Sequence, residues 1–258
     1  MADIIFTNTM GVPPEAAPQP ASKMVPDWYK DSESYMGPEK KPNGNGMMNG
    51  TIKRCMPVFD AINAGYLLVT HTDIYVSQKK ITYADKEHFD KTGEDIFLTD
   101  KQILKKGFPL TNSWFEWPSF APIEFHPPEQ APLHPEVTGT PIPKWINPWS
   151  IKTPPGYSTL FVAPLHRTNV FNALPAVVDT DQYDAPVNIV FVLSDPKFEG
   201  TVPAGTPIVQ VIPFKREVWE MRLGEQENLE NQTKTSIKLK TKFFDSYKSQ
   251  YRQPKEYK

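Results

Sequence analysis

Two aspartates stand two residues apart in the segment Ala176-Val-Val-Asp-Thr-Asp181. A carboxylate such as Asp179 or Asp181 can serve as the base that activates a water for attack on a phosphoryl group, if a metal and substrate are held beside it. The same residues suit a strand-end turn, where Asp caps backbone donors. His166 and Arg167 adjoin in Leu165-His-Arg-Thr168. Arg offers a planar fork of donors that fits a phosphate. No glycine-rich cradle flanks the pair, so a solvated loop is the competing reading. Gln210 lies inside the apolar run Ile208-Val-Gln-Val-Ile212. A buried Gln must find partners, so Gln210 is either a tie between strands or a ligand contact.

Other chemistry is poorly supplied. His126 and His134 are eight apart in a Pro-rich stretch with no Cys nearby, which matches no zinc spacing. Cys55 is the one cysteine, set between Lys53-Arg54 and Met56-Pro57, and reads as a buried structural thiol in a reducing compartment. No cofactor is expected, and magnesium only if a nucleotide is hydrolysed.

The elements that must position these residues are mainly β. The 28 prolines against 13 glycines exclude a long helical bundle, because proline removes a donor and breaks helices. Residues 1–50 carry seven prolines and the run Asn43-Gly-Asn-Gly-Met-Met-Asn-Gly50, and read as an arm. Residues 51–83 read as strands, notably Tyr66-Leu-Leu-Val-Thr70 and Asp73-Ile-Tyr-Val-Ser77. An insertion over about 84–150 holds a short helix with the capping box Thr99-Asp-Lys-Gln102 and a stop at Gly107. It continues into a proline-dense stretch holding Trp114, Trp117, Trp145 and Trp149. Residues 158–163, 176–178, 187–193 and 207–214 are the clearest strands, in a β-rich core from about Trp145 to Trp219. The domains are thus an arm over 1–50, a core over 51–221 and a basic aromatic tail over 222–258. In the tail Phe243, Tyr247 and Tyr251 recur every four residues, a helical spacing that Pro254 would end.

A resemblance attaches to three of these segments. Pro154-Pro-Gly-Tyr-Ser-Thr-Leu-Phe-Val-Ala-Pro164, Ala176-Val-Val-Asp-Thr-Asp181 and Gly205-Thr-Pro-Ile-Val-Gln-Val211 resemble dUTPase motifs in order and spacing, and Ala64-Gly65-Tyr66-Leu67 does so more distantly. The resemblance implies a dUTPase-like β-clip, a distorted β-barrel with a short C-terminal helix or tail. It also implies a homo-oligomer, possibly a trimer. Arg54-Cys55-Met56-Pro57, Lys152-Thr-Pro-Pro-Gly-Tyr157, Val178-Asp-Thr-Asp181 and Pro203-Ala-Gly-Thr-Pro-Ile208 with Gln210 are similar, over roughly 51–221, to a domain family of unknown function from bacteria and marine tailed phages. The departures from dUTPase bear on activity. The phosphate-binding Ser is missing from Leu165-His-Arg-Thr168, and Leu67 stands where a metal-side Asp would be. Tyr183 falls two positions beyond Asp181 rather than directly after it, and residues 232–258 hold no glycine.

The expectation is therefore a non-catalytic phage protein serving assembly or ligand capture, in a virion or in host cytoplasm. Two alternatives stand beside it. One is a nucleotide hydrolase or deaminase relative using Asp179, Asp181, His166, Arg167, Tyr183 and Gln210. The other is a sponge that binds a signalling nucleotide without cleaving it. The arm and the tail are the expected contacts to other assembly proteins. With a net charge of −2, no apolar run long enough to span a bilayer and no signal-like start, neither membrane, secretion nor nucleic acid is expected.

Overall fold

The computed structural model describes residues 2–36, 50–77, 80–83, 123–126, 142–224, 227–241 and 246–258. It is mainly β, with fourteen strands among those residues, in four sheets. We number them in chain order. A two-stranded ribbon joins β1 (Ile5–Asn8) to β8 (Trp149–Lys152). A three-stranded sheet joins β13 (Gly200–Val202), β4 (Ile74–Ser77) and β5 (Lys80–Tyr83). A four-stranded sheet runs in the order β10 (Phe171–Ala173), β12 (Ile189–Leu193), β7 (Ile142–Trp145), β6 (Ile123–His126). The largest sheet runs β11 (Ala176–Val178), β9 (Tyr157–Val162), β14 (Pro207–Lys215), β3 (Tyr66–Val69), β2 (Gln19–Pro20).

The strand at the centre of this last sheet is β14. It pairs antiparallel with β3 on one side and with β9 on the other. Its first half, Ile208–Val211, is buried on both faces, as its unbroken apolar character requires. Leu67, Leu68, Phe161, Trp145 and Phe191 complete a core in which each is at most 1% exposed. Gly65 opens β3 with φ +65, and a Cβ there would lie 2.0 Å from the Val211 carbonyl oxygen. Only glycine permits both that backbone and that approach.

The chain divides into two compact units. One comprises Met1–Gln19 and Gly65–Arg216; the other comprises Pro20–Ala64 and Glu217–Lys258. This division differs from an arm, core and tail split at 50 and 221. The N-terminal stretch is shared out: β1 lies in the first unit, while helix α1 (Asp27–Asp31) lies in the second. Val12, Ala16, Ala21 and Tyr29 are buried, so this proline-rich segment does contribute apolar packing.

Two expectations need correction. Residues 52–54 form a 3-10 turn, and Met56–Asn63 form helix α2 rather than strand. Pro57 sits in its first turn, where a fixed φ favours a helix and the missing N–H costs nothing. The β core also ends earlier than Trp219, because that side chain is 84% exposed. In the tail, α3 (Glu227–Thr241) and α4 (Ser246–Gln250) are helical. The capping box at 99–102, Gly107, Trp114, Trp117, His134, Phe243 and the run 43–49 lie outside the described residues. His126 is placed only as the last residue of β6.

Candidate functional site

Asp179 and Asp181 lie in the turn that follows β11, and the structure brings both to Arg216, at the end of β14. Arg216 donates from Nη1 to Asp181 Oδ1 at 2.8 Å and from Nη2 to Asp181 Oδ2, so the pair is bidentate. Its Nη1 also reaches Asp179 Oδ1 at 3.2 Å, Ser158 Oγ at 3.1 Å and the Tyr157 carbonyl at 2.9 Å. Ser158 directs its hydroxyl hydrogen to Asp179 Oδ1 at 2.6 Å. The Gly156 amide donates to Asp181 Oδ2 at 2.8 Å. In return the Arg216 amide donates to the Gly156 carbonyl at 2.8 Å.

Strand register produces this meeting. β9 lies between β14 and β11, so the end of β14 and the end of β11 both flank the start of β9. Gly156, with φ +86, makes the turn into β9 and exposes its amide to the carboxylate. Beneath the ion pair, Thr180 Oγ1 bridges Thr153 Oγ1 at 2.7 Å and Thr159 Oγ1 at 2.8 Å, all three residues being buried.

The electrostatics follow. The Asp181 side chain is 1% exposed, whereas that of Asp179 is 64% exposed. The Arg216 guanidinium, reinforced by the Gly156 amide, holds the Asp181 carboxyl well below the usual carboxylate range, although burial opposes this. The same pairing raises the pKa of Arg216. A carboxylate so engaged takes up no proton near neutral pH. The arrangement ties three backbone segments together more readily than it activates a water.

The remaining sequence candidates lie elsewhere on the first unit. Gln210 is fully buried, and its Oε1 accepts from the Leu165 amide at 2.8 Å. This ties the central strand to the loop carrying His166 and Arg167. His166 is exposed with φ +55. Arg167 is half-buried, donates to the Leu165 carbonyl at 3.1 Å, and has its pKa lowered to about 10 by burial. Tyr183 is 46% exposed just beyond the turn that holds Asp181. Among the described residues no group of three or more His, Cys, Asp and Glu comes together to hold a metal ion. No helix among them is long and apolar enough to cross a membrane.

Three features of the structure escaped sequence reasoning. Arg216 and Ser158 are separated from Asp181 by 35 and 23 positions, and only strand register unites them. In the second unit, Arg252 grips Asp60 at 2.7 and 3.0 Å, Lys255 adds a contact at 3.1 Å, and the guanidinium lies 5.6 Å over the Phe59 ring. The hydrogen bonds from Arg252 lead the effects that lower the Asp60 pKa. The third feature is the stretch after Arg216. Val218, Trp219, Met221 and Leu223 are 102%, 84%, 88% and 89% exposed. A signal for it was present in the alternation Trp-Glu-Met-Arg-Leu over 219–223.

Comparison of the chain with protein-family models, curated proteins and solved structures gives no match.

Proposed function

We propose that the chain is a non-catalytic phage protein with a dUTPase-like β-clip core, serving assembly as a structural or accessory component of a virion. The observation that carries this reading is the Arg216 clamp. The two aspartates in the dUTPase-like segment, the best candidates for a catalytic base, are bound to an arginine of the same chain. Asp181 is buried with both oxygens occupied, and Ser158 is spent on Asp179. Removing that set from chemistry leaves a rigid β framework, and a large exposed apolar stretch marks interaction surface.

A panel of deoxynucleoside triphosphates with magnesium tests the proposal. The expected outcome is no release of phosphate, pyrophosphate or ammonia and no saturable thermal shift. Turnover of any member overturns the reading in favour of hydrolysis or deamination. A saturable shift without turnover, with these or with cyclic nucleotides, replaces assembly by ligand capture.

A further inference from the structure

We propose that residues 217–223 form an exchange strand that adds to the open edge of β11 in a second copy of this chain. The segment leaves β14 directly after the clamped Arg216 and lies outside every helix and sheet. Its alternation places Trp219, Met221 and Leu223 on one face of an extended strand, with Glu220 and Arg222 on the other. That is the pattern of a half-buried strand, yet the three apolar side chains are 84–89% exposed. Glu220 and Arg222 pair with each other at 2.7 Å on the polar side.

The sheet that contains β14 offers a receiver. Its order ends on β2 at one side and on β11 at the other. β2 is two residues long and ends in Pro20, which has no N–H to give. Among the described residues β11 pairs only with β9, and its Val177 is 59% exposed. It is the longer edge of this sheet and carries an exposed apolar side chain.

Area argues for a second copy rather than an unrelated protein. Burying Trp219 with Met221 and Leu223 removes roughly 400 Å² on the arm, taking about 200 Å² for the tryptophan and about 100 Å² for each aliphatic residue. With a similar area on the receiving face, one arm gives roughly 800 Å², short of what a specific interface needs. Two copies exchanging arms double this to about 1,600 Å², the standard interface size.

The inference extends the assembly reading and rests on it. The two fail in different assays, since nucleotide turnover overturns the reading and a monomeric protein overturns the exchange. The experiment is light scattering on the full chain across micromolar concentrations, with three samples. Wild type is expected at the mass of at least two chains. Trp219→Asp/Met221→Asp, which removes the arm's apolar face, is expected at the mass of one chain with unchanged circular dichroism. Val177→Lys, which blocks the receiving edge on an exposed position, is expected to dissociate likewise. A wild-type monomer overturns the proposal, as does an arm variant that keeps the wild-type mass. If the arm variant misfolds, Val177→Lys alone decides, and its retention of the wild-type mass overturns the proposal.

Discussion

Asp181 and His71 both have depressed pKa values, the first through pairing with Arg216 and the second through burial, and both make the fold sensitive to acid. For Asp181 the folded-state pKa is depressed by Arg216, so its stabilisation is complete above the unfolded value of about 3.9 and disappears as pH falls through the folded value. Asp181→Asn should therefore lower the urea midpoint at pH 7 and flatten the acid limb below about pH 4. Arg216→Lys should weaken the protein in the same direction, because an ammonium cannot bridge both carboxylate oxygens. Arg216 is 38% exposed, so solvent screens part of the attraction and salt should narrow the gap between these variants and wild type. His71 lies in the turn between β3 and β4, with its ring 6.5 Å from that of Trp145. Among the described residues neither of its ring nitrogens has a hydrogen-bond partner. Burial lowers its pKa from 6.5 to about 4. The unfolded chain then takes up a proton between those values while the folded one does not, so stability falls as pH drops from 6.5 to about 4, by up to about 3 kcal/mol. His71→Phe should remove that slope in urea titrations and leave the steeper limb below pH 4 in place.

Glycines set the limits of the elements, and their costs differ for a stated reason. At Gly65 an added Cβ meets the Val211 backbone carbonyl at 2.0 Å on a left-handed backbone. Gly65→Ala combines overpacking of about 1–3 kcal/mol with left-handed strain of about 1–2 kcal/mol, a loss of about 2–5 kcal/mol in denaturant melts. At Gly11 the backbone is also left-handed, with φ +67, but nothing lies within 4 Å of an added Cβ. Gly11→Ala should cost only the strain, about 1–2 kcal/mol. Equal losses at both sites would show that the contact between Gly65 and β14 contributes little. Three strands were the most legible in the sequence. Tyr66–Val69, Ile189–Leu193 and Pro207–Lys215 are β-branched or aromatic runs bounded by Pro, Asp or Gly, and local preference there agrees with the fold. Other elements were not legible for physical reasons. α2 has eight residues, too few for a periodic apolar stripe to separate it from strand, and its Cys55 cap makes no side-chain hydrogen bond. β1 becomes a strand only by pairing with β8, more than 140 positions away. At the site, Asp179 and Asp181 stood out by type and spacing, whereas their partner did not. A guanidinium 35 residues downstream is recognisable only once β9 is known to lie between β14 and β11.

Between the clamp at Arg216 and helix α3 the chain presents a cleavable bond whose protection reports on the state of the whole molecule. Arg222 stands in the exposed stretch 217–223 with its side chain 79% exposed, and no sheet pairing shields the backbone around it. A protease must draw several residues into its own cleft in extended form, so a stretch outside the sheets is cut far faster than a strand. The lysines and arginines of β8, β14 and the clamp sit in paired or hydrogen-bonded backbone. Trypsin should therefore cleave after Arg222 ahead of Lys152, Lys215 or Arg216, giving a fragment that ends there by mass spectrometry. If the stretch is exchanged between copies, the rate must also depend on concentration, because pairing with β11 of another chain hides the bond by mass action. Dilution through the association midpoint should then accelerate cleavage after Arg222 in wild type and leave Trp219→Asp/Met221→Asp uniformly fast. Concentration-independent cleavage in wild type would show the stretch to be solvent-exposed in every state. The apolar residues 218–223 would then be a surface for some other protein, with the two β11 edges left open.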